Sequence, residues 1–103
     1  MNRIAVGKGV KVGAHIYKVR TGQHITDRLK EGSFYGRTSH SEEKLIMLDS
    51  KLPETQFSQT FLHEVIHAVD TIYLGSSLRE KQVIGIANGL AQVIEGLGVR
   101  FIK

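Results

Sequence analysis

The chain has 103 residues, of which 41% are hydrophobic and 23% are charged, and its formal net charge is +4. This length predicts a single domain, residues 1–103, and the ordinary globular composition argues against long disordered segments. Because the chain has no cysteine, disulfides and thiolate ligands are excluded, and a bound metal ion would need histidine and carboxylate ligands.

The distribution of apolar and basic residues predicts a cytoplasmic protein. No apolar run reaches the length of a membrane span, and the first residues lack the apolar core of a signal peptide. The basic residues do not cluster into a run. The positive charge therefore predicts a solvated surface and argues against nucleic acid as the main partner.

The first half of the chain predicts β structure. Apolar residues alternate with polar or glycine positions over residues 4–6, 10–14 and 15–20. Residues 27–32 predict either one helical turn closed by glycine or a plain loop.

Two further strands are predicted at residues 33–38 and 44–49, and the second is the most hydrophobic of the set. The polar residues 40–43 between them suit a hairpin turn. We therefore expect these two strands to pair with each other, as part of a small antiparallel β-meander.

Two helices are predicted to follow the strands. The first runs from about Pro53, which suits the first helical position, to Tyr73, and Gly75 ends it in a left-handed conformation. The second begins after Ser77 and runs to about Gly96. Its predicted buried stripe is Val83, Ala87, Leu90, Ala91, Ile94 and Leu97. The link between the helices is short, so we expect them to pack antiparallel. The predicted fold class is α+β, a small antiparallel β-meander followed by two packed helices.

The first helix carries the sequence His63-Glu64-Val65-Ile66-His67. Histidines four positions apart on a helix lie one turn apart on the same side, so both imidazoles can reach one metal ion. Both lie just past the border of the apolar half of the helix, as a site at the rim of a core requires. Glu64 lies beyond them on the polar side, where it can take a proton from a metal-bound water. The pattern predicts His63 and His67 as metal ligands and Glu64 as the catalytic base.

Glu80 is the third ligand that the sequence favours, since a catalytic zinc ion usually takes three protein ligands. On the wheel of the second helix, Glu80 falls in the middle of the apolar stripe, where a carboxylate is costly unless a cation pairs with it. An alternative stays open. Residues Ser77 to Glu80 match a capping box, in which the Glu80 carboxylate would accept a hydrogen bond from the Ser77 N–H.

Asp70 is the rival candidate, because it lies one turn after His67 on the same side. It could accept a hydrogen bond from the second nitrogen of a ligand histidine, act as a ligand itself, or be a surface carboxylate. Asp49 and Glu95 are the other carboxylate candidates. The remaining histidines have no matching spacing and are predicted to be surface residues: His15, His24 and His40.

Residues 33–94 together resemble a known family. The histidine motif, followed by a glutamate on the next helix, is similar to the zincin metallopeptidases and specifically to their glutamate-ligand branch, the gluzincins. The order of the pieces Leu62 to Asp70, Glu80 to Val83 and Gly89-Leu90 also resembles a group of very short zincin-like proteins of phages and bacteria. The resemblance implies zinc held by His63, His67 and Glu80, with Glu64 as the base. It also implies that an edge strand at residues 33–38 pairs with an extended substrate backbone.

The expected activity is zinc-dependent hydrolysis of an amide bond in a peptide or protein, with Glu64 as general base. Two other functions stay open. The same three residues could hold zinc in a non-catalytic module, where the ion locks two helices together. Alternatively, the chain could be a basic nucleic-acid-binding protein in which the histidine motif is fortuitous.

Overall fold

The computed structural model of the protein describes residues 1–41 and 43–103. These residues form an α+β fold in which two helices pack together, and this confirms the predicted fold class. In chain order the elements are β1 (Asn2–Ala5), β2 (Val10–Val12), β3 (His15–Arg20), α1 (Gln23–Glu31), β4 (Gly36–Ser39), β5 (Leu45–Leu48), α2 (Glu54–Leu74), α3 (Glu80–Gly96) and β6 (Val99–Ile102). Within this described part, no helix combines the length and the apolar character needed to cross a membrane.

A four-stranded sheet occupies the first half of the chain, in the strand order β2-β3-β5-β4. β4 pairs antiparallel with β5, which confirms the pairing predicted for residues 33–38 and 44–49. β2 and β3 are also antiparallel, but β3 and β5 run parallel. The prediction of an antiparallel meander is therefore wrong at the centre of this sheet. Of the turn predicted at residues 40–43, Glu42 lies outside the described residues.

Helix α1 explains the parallel pair. Parallel neighbours need a crossover connection, because the chain must return to the end of the sheet at which the earlier strand began. α1 and β4 form that connection, and α1 packs against β5 with Thr26 and Leu29 buried. The sequence predicted at most one helical turn here, but α1 has nine residues. Its polar residues outnumber its apolar ones, so the apolar period was too weak to reveal a helix.

The predicted extended tail at residues 99–103 forms β6, which pairs in parallel with β1 as a second, two-stranded sheet. Arg3 of β1 and Arg100 of β6 both form ion pairs with Glu54 in the first turn of α2. Arg100 also pairs with Glu95 of α3. This small sheet is thereby attached to both helices of the packed pair.

Helix α2 is central to the core, where it contacts α3 and strands of both sheets. One buried cluster joins these elements: Val6, Val12, Tyr17, Val19, Ile46, Leu48, Phe57, Phe61 and Ala68. α3 packs on α2 through a narrow face in which Val83 and Ala87 are buried. Because this face is narrow, Leu90 and Leu97 are 41% and 77% exposed, and their predicted burial is wrong.

Local sequence sets the ends of α2 much as predicted. Pro53 lies directly before the helix, which begins at Glu54. Gly75 ends the helix with a φ of 61°, a left-handed conformation that glycine adopts without steric cost. The two histidines of the motif therefore lie well inside a regular helix.

Gly36 allows β4 to lie close against α2. A Cβ atom at this position would come within 2.8 Å of Thr60 Cγ2, 3.1 Å of Leu48 Cδ2 and 3.2 Å of Glu64 Cγ. Any larger residue would push the strand away from the helix, since packed interiors leave no room for an extra carbon. The close approach places the edge strand of the sheet directly over the histidine motif.

Candidate metal centre

Two imidazoles and one carboxylate converge where α2 meets the start of α3. Nε2 of His63 lies 2.9 Å from Oε1 of Glu80, and Nε2 of His67 lies 3.2 Å from Oε2 of the same carboxylate. One possible ligand atom from each residue lies within 4.8 Å of the others. The structure thus brings together the three residues predicted as metal ligands, while metal binding by them stays a prediction.

The geometry of these donors suits a zinc ion. Imidazole nitrogen and carboxylate oxygen bind zinc at about 2.0–2.2 Å, which puts neighbouring ligands of a tetrahedral ion roughly 3.3 Å apart. The distances from Glu80 to the two imidazoles are close to that separation. The side chains of His63, His67 and Glu80 are 23%, 28% and 58% exposed, so a solvent molecule or a substrate can also reach this position.

The start of α3 leaves the Glu80 carboxylate available to the histidines. The helix begins at Glu80 itself, and the Arg79 N–H donates to the Gln82 side chain at 2.8 Å. The alternative of a capping box between Ser77 and Glu80 is therefore excluded, because the cap lies two residues later, at Arg79. The predicted core-facing position of Glu80 is also wrong: the side chain lies at the exposed first turn, one turn before the buried Val83.

Asp70 fixes the link that carries Glu80. Its carboxylate oxygen accepts a hydrogen bond from the Leu78 N–H at 3.1 Å, and its backbone oxygen accepts one from the Ser76 N–H at 3.0 Å. Asp70 is only 5% exposed, so both contacts are shielded from water. One alternative for Asp70 was that its carboxylate accepts a hydrogen bond from a ligand histidine. It instead accepts one from the Leu78 N–H, which orients the link between the two helices.

Glu64 is buried under β4, although the sequence predicted a position on the polar side of the helix. It is 5% exposed, and the Thr38 hydroxyl donates to its Oε1 at 2.7 Å. The same hydroxyl oxygen lies 3.1 Å from the Glu64 backbone oxygen. Burial raises the pKa of the Glu64 carboxyl, and the hydrogen bond from Thr38 opposes that rise. β4 covers this side of α2 because Gly36 permits the close approach, and the periodicity of a single helix cannot reveal such a cover.

Two cavities that share lining residues flank these residues. One, of about 400 Å³, is lined by His63, His67, Glu80, Glu64 and neighbouring residues of β4. The other, of about 350 Å³, lies beside the first turns of α2 and reaches Ile84 and Asn88 of α3. Both are lined by His63 and Glu64. The candidate centre therefore opens into a groove that follows the edge of the sheet.

His40 is exposed, as predicted, and it also borders the same groove. Its Nδ1 lies 3.0 Å from the hydroxyl of the buried Tyr17, and its Nε2 lies 3.3 Å from Oγ1 of Thr71. Burial lowers the pKa of His40, and the nearby charges of His67 and Lys44 lower it further. Burial also raises the pKa of Tyr17. His40, Tyr17 and Thr71 are not related by any regular spacing in the sequence. The sequence therefore contains no signal that His40 lies at this groove.

The other sequence candidates lie outside the ligand group. Asp49 accepts hydrogen bonds from the Thr26 hydroxyl at 3.2 Å and the Lys51 N–H at 2.9 Å. Glu95 pairs with Arg100, and the exposed His15 and His24 lie on β3 and α1. Each therefore has a structural or surface position, as predicted for the two histidines.

Comparisons with models of known protein families, with curated proteins and with solved structures found no match to the chain.

Proposed function

We propose that this protein is a zinc-dependent metallopeptidase. The observation that carries the proposal is the convergence of His63, His67 and Glu80 on one point beside the Glu64 carboxylate, in an open groove. Two imidazoles and a carboxylate are a common protein ligand set of catalytic zinc, with the fourth position left to water or substrate. The resemblance to gluzincins rests on the same residues.

Each residue has a separate task in this proposal. His63, His67 and Glu80 hold the ion, which when bound supplies a Lewis acid that polarises the scissile carbonyl and lowers the pKa of a bound water. Glu64 accepts one proton of the attacking water and delivers it to the leaving amine, while a C–O bond forms and the C–N bond breaks. The Thr38 hydroxyl holds the Glu64 carboxylate in place for this proton transfer.

The β4 strand supplies the means to bind a peptide. It is the outer strand of the four-stranded sheet, and its residues line both cavities of the groove. An exposed strand edge carries backbone N–H and C=O groups that can pair with an extended peptide. A substrate strand beside β4 would pass directly over Glu64 and the candidate zinc ligands.

The test is cleavage of an unstructured protein by the parent and by Glu64→Gln, each loaded with zinc. New chain ends are detected by mass spectrometry. We expect the variant to keep its zinc and its fold but to lose about 100-fold or more of its activity, because general-base catalysis contributes about that much. Glu43→Gln is the matched control, since Glu43 is exposed and pairs with Lys18 outside the groove.

Two outcomes would contradict the proposal. Equal cleavage by the parent and Glu64→Gln would exclude Glu64 as the base. A parent that binds one zinc ion per chain yet cleaves nothing would favour the non-catalytic module, in which the ion joins α2 to α3.

A further inference from the structure

A third cavity, of about 320 Å³, lies where α1 meets β4 and β5. It is bordered by Arg28 and Leu29 of α1, by Met47 of β5 and by Arg37 of β4. Its two arginines stand on different elements, Arg28 on α1 and Arg37 on β4. Glu31 is a third charged residue at this cavity, which leaves positive charge in excess.

The two arginines remain available to a ligand. Within residues 1–41 and 43–103, no carboxylate forms an ion pair with either Arg28 or Arg37. The Arg37 guanidinium instead lies over the ring of Phe34, 5.4 Å from its centroid. Stacking of this kind restricts the side chain while its N–H donors stay directed outward.

Arg37 and Phe34 also border the cavity that contains the candidate zinc ligands. The two spaces therefore meet at these residues, at the edge of the sheet. Along β4, Gly36 and Thr38 lie against α2, whereas Arg37 between them also lines the cavity beside α1. A peptide paired with β4 would alternate in the same way, because successive side chains of a strand point to opposite faces.

We propose that the cavity between Arg28 and Arg37 binds a carboxylate of the peptide substrate. This inference rests on the proposed function. The carboxylate belongs to the residue that precedes or follows the one facing α2 and the zinc ligands. Guanidinium groups recognise a carboxylate through paired N–H donors, and a neutral side chain leaves those donors to water. The protein therefore prefers substrates that carry aspartate or glutamate beside the residue at the metal centre.

The first experiment is cleavage of a library of peptides with acetylated and amidated ends by the zinc-loaded parent. We expect acidic residues to be enriched at one fixed position near the cleaved bond. In matched peptides, glutamate should exceed glutamine at that position by about two- to fivefold in kcat/KM, the range of an exposed ion pair. This preference should fall as salt rises. A further peptide carries glutamine at that position and ends there with a free carboxylate. Its cleavage distinguishes recognition of a C-terminal carboxylate from recognition of a side-chain carboxylate.

Charge reversal at the cavity provides the sharper test. Arg28→Glu should replace the preference for glutamate by one for lysine, and Arg28→Gln should remove the preference without reversing it. Lys11→Glu is the matched control, because it makes the same charge change at an exposed position of β2, and it should keep the glutamate preference. Circular dichroism of each variant checks that α1 still folds.

Binding of the same matched peptides to zinc-loaded Glu64→Gln, followed by fluorescence anisotropy, distinguishes this inference from the proposed function. Tighter binding of glutamate than glutamine peptides, reversed toward lysine by adding Arg28→Glu, supports the cavity even if the parent cleaves nothing. Any of three results would overturn the cavity assignment. They are cleavage without an acidic preference, an acidic preference that Arg28→Glu leaves unchanged, and equal binding of all peptides.

Discussion

A single hydroxyl holds the candidate base in position. Thr38 donates to Glu64 Oε1 at 2.7 Å, and both residues lie at the contact between β4 and α2. Replacement by valine keeps the shape of the side chain but removes the donor. We therefore expect Thr38→Val to lower kcat by about 10- to 100-fold with little change in KM, since a hydrogen bond to a charged group contributes about 1.5–3 kcal/mol. Steady-state kinetics of the zinc-loaded variant measures this.

Serine at the same position is the control. Thr38→Ser retains the hydroxyl and should recover most of the lost kcat. If valine and serine reduce kcat equally, the methyl group of Thr38 matters and the hydrogen bond does not.

The Glu80 carboxylate should decide how tightly zinc binds. Glu80→Gln removes the negative charge while its size is conserved, and we expect zinc affinity to fall by about 100-fold or more. Loss of a partner beyond the direct ligands already costs about 10- to 100-fold. Competition with a chromophoric chelator measures the affinity, with Glu43→Gln as the control. Unchanged affinity in Glu80→Gln would show that the contact with the histidines is an ion pair alone.

Residue spacing revealed part of this site. Residues four positions apart lie on the same side of a helix, so the sequence alone predicted that His63 and His67 share one side of α2. Glu80 was selected correctly as a neighbour of both, though for a core-facing position that the structure contradicts. Thr38 and His40 were missed, because their approach to α2 depends on how the sheet packs and not on their own sequence neighbours.

At the scale of elements, the contact between β4 and α2 depends on the absence of a side chain at Gly36. Gly36→Ala should reduce the free energy of unfolding by about 1–3 kcal/mol, since the added methyl group overpacks the contact. Gly85 of α3 provides the opposite case, because a Cβ there meets nothing within 4 Å. Gly85→Ala should increase the free energy of unfolding by about 0.5–1 kcal/mol through its higher helix propensity. Urea titration of both variants measures the two effects, and equal changes would contradict this account.

The arginine contacts that attach the small sheet to the helices predict a pH dependence. The hydrogen bond from Arg3 lowers the pKa of Glu54, and that from Arg100 lowers the pKa of Glu95. A carboxyl with a lower pKa in the folded state stabilises the protein above its ordinary pKa, here 4.5, and that stabilisation is lost as the pH falls further. Melting temperatures of the parent and Glu54→Gln should therefore converge between pH 7 and about pH 3. A constant difference over this range would exclude the contribution of Glu54.

The sequence predicted some elements of the fold more accurately than others. α2 was predicted to within about one residue at each end, because Pro53 and Gly75 act locally. α1 was missed, as its nine residues carry little apolar character, and with it the parallel pairing of β3 and β5. The relative direction of two strands depends on the connection between them. Because α1 was not predicted in the connection from β3 to β5, the predicted topology was wrong at the centre of the sheet.

For the whole molecule, zinc should act as a stabilising ligand. A ligand at 100 times its dissociation constant adds about 2.7 kcal/mol to the free energy of unfolding. In a domain of this size, that corresponds to an increase of roughly 10 °C or more in melting temperature. Calorimetry with zinc, and again after a chelator, measures the increase.

Histidine variants test the origin of this stabilisation. His67→Gln should abolish the increase, whereas His15→Gln should keep it, because His15 is exposed on β3 away from the centre. The same increase in both variants would assign the zinc effect to another part of the protein.

The parallel pairing of β1 with β6 bears on how the protein is made. A ribosome releases residues 2–5 well before residues 99–102, so β1 meets its partner strand after both long helices have been synthesised. Arginines from the two strands then reach Glu54 together. Closure of this sheet therefore requires nearly the whole chain from β1 to β6, and protection of the β1 amides from hydrogen exchange would report when it has closed.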